Sequence, residues 1–278
     1  MAILPEIKLN DGNSIPVLGY GTGTAWLKKD SDNDIDRRLV DSIKEAISWD
    51  IVTSTVRSYT EPKGKLSLLS KRSGVARDSL FVTTKVITRI RDIPNAIDAS
   101  LKKLQLDYVD LSPIRMGRDG KGQEAGKARS IGVSNFRQSE LKAVLETARI
   151  KPAINQIEYH PYLQHGGFVP LQEGKGIRTA AYGPLTPATR VESGPLDGIL
   201  SGLAKKYAVT EADVLLRWCI DRDAVTLTTS SKRSRLAGYI RSLQFRLTQS
   251  EIEEISDVGQ QKHFRTFFTD IFAPDDSS

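Results

Sequence analysis

Apolar positions along the chain switch repeatedly between a period of two and a period of 3.6, which is the pattern of strands alternating with helices around a parallel sheet. Eight strand candidates emerge: Val17 to Gly21, Ile51 to Val56, Leu80 to Val86, Tyr108 to Leu111, Ser130 to Val133, Ile154 to Glu158, Arg178 to Tyr182 and Val225 to Leu227. Helical spacing joins Ile35, Leu39, Ile43 and Ile47, then Ile97, Leu101 and Leu104, then Leu141, Val144, Leu145 and Ala148, and later Ile199, Leu203 and Tyr207. A further helix is expected behind Thr210, and Thr248-Gln249-Ser250-Glu251 has the spacing of a capping box ahead of Ile252 and Ile255. Before the first of these strands, Leu9-Asn10-Asp11-Gly12-Asn13 reads as a hairpin turn, because Asp-Gly supplies the positive φ that a tight turn demands. The pattern predicts an α/β fold, a (β/α)8 TIM barrel with an N-terminal β-hairpin, spanning residues 1–278 as one domain.

One interval breaks the rhythm. Between Ser112 and Gly126 stand Gly117, Gly120, Gly122 and Gly126 with few apolar residues, and each glycine costs about 1 kcal/mol relative to alanine inside a helix. The fourth helix is therefore expected to be missing or shortened. A bare strip of sheet would follow, to be covered by a loop or by a partner chain.

Composition narrows the function classes. A chain of 278 residues fits the barrel, for which about 250 is typical, and no stretch reaches the roughly 18 to 20 apolar residues of a membrane helix. The N-terminus carries no secretory pattern, so a cytoplasmic location is expected. The formal charge is +6, but Lys and Arg are interleaved with 34 acids and form no basic groove with stacking aromatics, so no nucleic-acid partner is expected. A small polyanionic ligand accounts for the surplus equally well. Cys219, beside Trp218 in a helical apolar run, reads as core, and the three histidines, His160, His165 and His263, lack metal-ligand spacing, so no metal site is expected.

Three motifs stand in order: Ile131-Gly132-Val133-Ser134-Asn135-Phe136, Asn155-Gln156-Ile157-Glu158-Tyr159-His160-Pro161 and Ala181-Tyr182-Gly183-Pro184-Leu185. With Leu80 to Val86 and Leu106 to Leu111 in register before them, the chain resembles the aldo-keto reductase superfamily over nearly its whole length. The resemblance implies that Ser134, Asn135 and Gln156 hydrogen-bond a nicotinamide carboxamide and that Tyr182 stacks under the ring. The residue types suit that task, since an amide needs paired donors and acceptors and a flat ring needs an aromatic face. It also implies that Thr229-Ser230-Ser231-Lys232-Arg233-Ser234-Arg235 receives an adenosine 2'-phosphate, with Ser230 and Arg235 at matching positions and Lys232 near the lysine that Thr229 replaces. NADP(H) is the expected cofactor. A helix start is a competing reading of this serine-rich run, and the asparagine or glutamine that the family places next has no counterpart around Gly238 and Tyr239.

The catalytic side departs from the family. Of the tyrosine, lysine, aspartate and histidine that such enzymes use, the lysine is matched by Lys85. The aspartate position is Thr55 and the tyrosine position Thr60, with Tyr59 adjacent; the histidine position, read without a gap, is Arg115. A threonine hydroxyl is a far weaker acid than a phenol of pKa about 10, and general acid catalysis is worth about 10² to 10⁴ in rate. Three readings follow for a small carbonyl-bearing, apolar substrate. In the first, the chain binds NADP(H) but runs a non-redox step such as isomerisation or cyclisation with Lys85, Arg115, Thr55 and Thr60. In the second it is an NADPH-dependent carbonyl reductase with Tyr59 or water as proton donor. In the third it is a cofactor-binding pseudoenzyme. His263-Phe264-Arg265-Thr266-Phe267-Phe268 occupies the place of the family's substrate-covering loop, or else packs as a core tail.

Overall fold

The structure is a computed structural model that describes residues 4–22, 37–48, 51, 53–57, 76–85, 93–115, 126–230, 232–273 and 275–277. A two-stranded antiparallel hairpin, β1 (Glu6–Lys8) and β2 (Ser14–Pro16), leads into eight parallel strands. These are β3 (Leu18–Gly21), β4 (Thr53–Arg57), β5 (Phe81–Lys85), β6 (Val109–Arg115), β7 (Ala128–Ser134), β8 (Ile154–Glu158), β9 (Arg178–Tyr182) and β10 (Val225–Thr228). They pair in chain order, and β10 closes on β3, so the sheet is a barrel without free edges.

The helices are α1 (Arg37–Ser48), α2 (Ile93–Leu104), α3 (Gln138–Thr147), α4 (Phe168–Gly174), α5 (Thr186–Thr189), α6 (Asp197–Tyr207), α7 (Glu211–Asp221), α8 (Arg233–Arg241) and α9 (Gln249–Gln260). Every predicted strand is present within a few residues. The largest difference is β6, which runs four residues past Leu111 through Ser112-Pro113 to Arg115. Proline is tolerated there because β6 and β7 stay paired from Val109↔Ala128 to Arg115↔Ser134 through the neighbouring amides. The short α4 and α5 were not visible in the apolar spacing, being seven and four residues long. The expectation of a missing or shortened fourth helix falls on residues 116–125, outside the described ones.

Hairpin chemistry decides which end of the barrel is closed. Gly12 adopts φ 88° in the turn, and Leu9 N–H donates to the Asn13 carbonyl at 2.9 Å. The turn then reaches the sheet: Asn10 Nδ2 donates to the carbonyl of Pro152, ahead of β8, and Asn13 Nδ2 to Ser130 Oγ near the start of β7. Ile7, Leu9, Ile15 and Val17 are buried in the same apolar cluster as Leu18, Val109 and Ile154. The hairpin therefore plugs the N-terminal end of the barrel, and the opposite end is left for a site.

A second cluster lies between the sheet and α7, where Val214 to Ile220 are all buried. A helix apolar around its circumference must be covered on every side, and α6, α8 and α9 supply the cover. Trp218 donates from Nε1 to Ser256 Oγ of α9 at 3.1 Å, and Cys219 is buried with its thiol pKa pushed up by desolvation. Thr210 and Thr248 both form reciprocal capping boxes, with Asp213 and Glu251 respectively, so α7 and α9 begin where side-chain oxygens can satisfy their first amides.

Helix α9 comes unusually near the loop behind β8. A Cβ built on Gly259 would stand 2.4 Å from the carbonyl oxygen of Pro161. Backbone cannot yield as a side chain can, so Gly259→Ala should lower the unfolding free energy by about 1–3 kcal/mol. The shift in urea midpoint measures it, and an unchanged midpoint would show that α9 and the loop separate without cost.

Candidate functional site at the open end of the barrel

A cavity of about 990 Å³ opens at the C-terminal ends of the strands, at the large end of the range for small-molecule sites. One end is formed by Ser134, Asn135, Gln156 and Tyr182, and the other by Ser234, Arg235, Gly238 and Arg241, with Gly183 to Thr186 running alongside. The first set arrives from the ends of β7, β8 and β9 and the second from α8, and closure of the barrel brings them together.

The end formed by Ser134, Asn135, Gln156 and Tyr182 is built on a left-handed residue. Asn135 follows β7 with φ 59°, a conformation that asparagine tolerates better than most residues. Its N–H donates to the Gln156 carbonyl at 3.0 Å, and Ser134 Oγ donates to the same oxygen at 2.9 Å. The Tyr182 hydroxyl donates to Asn135 Oδ1 at 2.8 Å, which orients the amide and holds the ring beside it. From the outer side of the sheet, Asn155 Nδ2 donates to the Phe136 carbonyl and to Gln172 Oε1 of α4, bracing the loop. A preorganised amide, a second amide and an aromatic face converge on one volume.

The catalytic-side candidates are placed by backbone register. Thr55 pairs with Thr83, and Lys85, two residues further on, pairs with Arg57. Thr83 pairs with Leu111, Arg115 pairs with Ser134, and Ser134 pairs with Gln156. Strand alternation then gives Thr55, Lys85 and Arg115 the same register parity as Ser134 and Gln156. Their side chains, and all of Tyr59 and Thr60, lie outside the described residues.

At the distal end, Arg235 and its neighbour Ser234 line the cavity. Ser230 is buried, and its Oγ accepts the N–H of Lys232 at 3.0 Å. Lys232 is the N-cap residue of α8, so the helix starts within the Thr229 to Arg235 run. Neither Ser230 nor Lys232 is among the residues lining the cavity.

Sequence reasoning passed over Glu158, which proves central to the mouth. Its side chain and that of His160 are fully buried, and Oε1 lies 3.2 Å from His160 Nε2. The same carboxylate accepts the N–H of Thr266 on Oε1 at 2.8 Å and the N–H of Phe267 on Oε2 at 3.0 Å. The C-terminal segment is thereby tied across the opening. Phe267 and Phe268 stand edge-on to Tyr182 with centroids 5.6 and 6.1 Å away and line the cavity, whereas Phe264 packs against the second apolar cluster. The phenylalanines thus divide between ligand space and core. The signal for Glu158 was its spacing of two from Gln156 on the same strand face.

Comparison with known proteins accords with this geometry. Residues 120–260 match the aldo/keto reductase family profile. An NAD/NADP-dependent indole-3-acetaldehyde reductase of Schizosaccharomyces pombe is 35% identical over 92% of this chain and 96% of its own length. An NADPH-dependent alpha-keto amide reductase of Saccharomyces cerevisiae is 32% identical over 95% of this chain and 94% of its own. Among solved structures, a Bombyx mori aldo-keto reductase in complex with NADP superposes with a TM-score of 0.81 at 29% identity, covering 93% of this chain and 94% of that one. A barrel of parallel strands with a cleft at its C-terminal face defines the class, and the chain belongs to the aldo/keto reductase family.

Burial gives this mouth a pH dependence. Desolvation lowers the His160 pKa below its ordinary 6.5, against the opposing pull of Glu158. Facing a carboxylate that already accepts two amides, the neutral ring donates from Nε2. As pH falls below 6.5 the unfolded chain takes up the proton while the folded one resists, so stability is present above that value and is lost on descent toward the folded pKa. The urea midpoint should fall between pH 7 and pH 5 by up to about 1.4 kcal/mol of stability per pH unit from this group. His160→Gln should flatten the slope, as measured by parallel denaturation series.

Proposed function

We propose that this chain binds NADP(H) and reduces a small carbonyl compound, with Tyr59 as proton donor. The observation that carries the reading is the cavity itself, which joins an Asn135-Gln156-Tyr182 end to an Arg235 end in one continuous volume. Those groups suit the two ends of a dinucleotide: amides to pair a carboxamide, a ring to stack, a guanidinium for a phosphate. A bound NADPH supplies the hydride. Ser134 and the Tyr182 hydroxyl hold the Gln156-Asn135 loop rigid, so the ring face is fixed before a substrate arrives. Phe267 and Phe268 exclude water on the other side and favour an apolar substrate.

The named relatives are reductases, one of them NADPH-dependent and one using NAD or NADP, which supports the redox reading over the non-redox one. The latter starts from Thr55 and Thr60 standing where the family carries an acid and a phenol, leaving Lys85 and Arg115 for isomerisation or cyclisation. A pseudoenzyme would bind the dinucleotide and do nothing further. One experiment separates the three: NADPH binding, its oxidation with a panel of aldehydes and ketones, and product analysis when NADPH is not consumed. Reduction with NADPH consumption is the expected result. Tyr59→Phe should then lower kcat by about 10² or more with little change in NADPH affinity, and an unchanged kcat would assign the proton to water.

The phosphate end yields a second expectation. NADPH should bind more tightly than NADH, and Arg235→Ala should remove most of that difference, since a guanidinium contact to an ionised group is worth about 1.5–3 kcal/mol. Titration calorimetry with both dinucleotides measures it, and equal affinities in the unaltered protein would contradict a 2'-phosphate site at Arg235.

A further inference from the structure

Beyond Arg235 the cavity reaches a second guanidinium. Arg241, in the last turn of α8, lines it together with Gly238 of the same helix and Asp213 of α7. Nε and Nη2 of Arg241 approach Asp213 Oδ2 at 3.3 and 3.1 Å. The Asp213 side chain is 2% exposed and that of Arg241 45%, so the anchor is fixed inside the protein while the head group faces the opening. The anchor is itself rigid, because the same Oδ2 accepts the Thr210 N–H and hydroxyl at 2.9 and 2.8 Å in the capping box of α7.

Two consequences follow from planar geometry. Asp213 engages the side-on edge of the guanidinium, which leaves the end-on edge, Nη1 with the second Nη2 hydrogen, as a two-donor fork on the cavity wall. Gly238 makes the position available: a Cβ there would lie 3.0 Å from Arg241 Nη2. The guanidinium rests in the space that a side chain at 238 would otherwise take.

A two-donor fork and an amide do not read the same base. An amide side chain pairs the N6 donor and N7 acceptor of adenine, whereas arginine pairs two acceptors, the O6 and N7 of a 6-oxopurine. We propose that Arg241 reads the purine edge of the dinucleotide and that the site accepts hypoxanthine at least as well as adenine. The proposal rests on the dinucleotide reading above and adds a base specificity to it. No aspect of it depends on the 2'-phosphate, which both bases share.

The test titrates NADPH and its hypoxanthine counterpart into the unaltered protein, Arg241→Gln, Arg241→Ala and Arg235→Ala, following cofactor fluorescence. Arg241 is exposed enough that its variants should fold, and circular dichroism checks this. The unaltered protein should bind the hypoxanthine form as tightly as NADPH or more so. Arg241→Gln should swing the ratio toward adenine by about ten-fold, the scale of a bidentate base contact, and Arg241→Ala should weaken the hypoxanthine form more than NADPH. Arg235→Ala should weaken both forms by one factor and leave the ratio unchanged. A preference for adenine that neither Arg241 variant alters would overturn this proposal alone. Failure of both dinucleotides to bind the unaltered protein would overturn the cofactor reading and the proposal with it.

Discussion

Eight parallel strands closed upon themselves leave no freedom in register, and that constraint governs everything at the open end of this molecule. Once Gly21 pairs with Thr55 and Ser134 pairs with Gln156, the alternation of each strand is tied to that of its neighbours around the whole ring. A slip of one residue in any strand would carry its inward row outward. The barrel thus gathers Ser134, Gln156 and Tyr182, from three successive strands, into one rim without needing contacts between their side chains to bring them there. The hairpin plug at the other end gives the ring its polarity. Its apolar residues Ile7, Leu9, Ile15 and Val17 fill the N-terminal mouth, so a ligand can enter from the C-terminal side alone among the described surfaces.

Glu158 converts that rim into a covered site. A buried carboxylate must be compensated by donors, and here these come from the backbone of the C-terminal segment and from His160. The need to satisfy one charge therefore positions a stretch of chain more than a hundred residues away, as the separation of 108 between Glu158 and Thr266 shows. Thr186 and Thr266 approach through their hydroxyls at 3.3 Å, and a Cβ built on Gly183 would stand 3.0 Å from the Phe267 ring. Gly183, at φ 67°, is one of the positions where glycine is required, both by the backbone conformation and by that neighbour. Packing of α9 against the loop behind β8 holds the base from which this strap extends.

The distal end follows a different logic. There the groups come from helices, and polarity is set by one buried acid, Asp213, which serves a helix cap and a guanidinium with the same oxygen. Local and long-range demands coincide in that atom. Gly238 leaves room for the Arg241 head group, three residues along the same helix, a spacing at which side chains meet.

Strand order, the hairpin, the capped starts of α7 and α9 and the motif residues Ser134, Asn135, Gln156 and Tyr182 were legible along the chain, since periodicity, turn chemistry and capping depend on neighbours within a few residues. The family resemblance rested on those same local strings. Glu158 was legible only in part: its alternation with Gln156 pointed it toward the rim, but nothing nearby in sequence revealed the amides of Thr266 and Phe267 that make it an anchor. The expectation that Ser230 and Lys232 receive a phosphate rested on residue type, whereas their engagement with each other at the start of α8 depends on the folded loop. Arg241 was invisible, because its meaning lies in Asp213, twenty-eight residues earlier on a different helix. Sequence alone determines what each short segment prefers to be; the tertiary structure decides which charges face one another, because electrostatic partners are chosen by proximity in space and closure of the barrel brings distant segments within hydrogen-bonding reach.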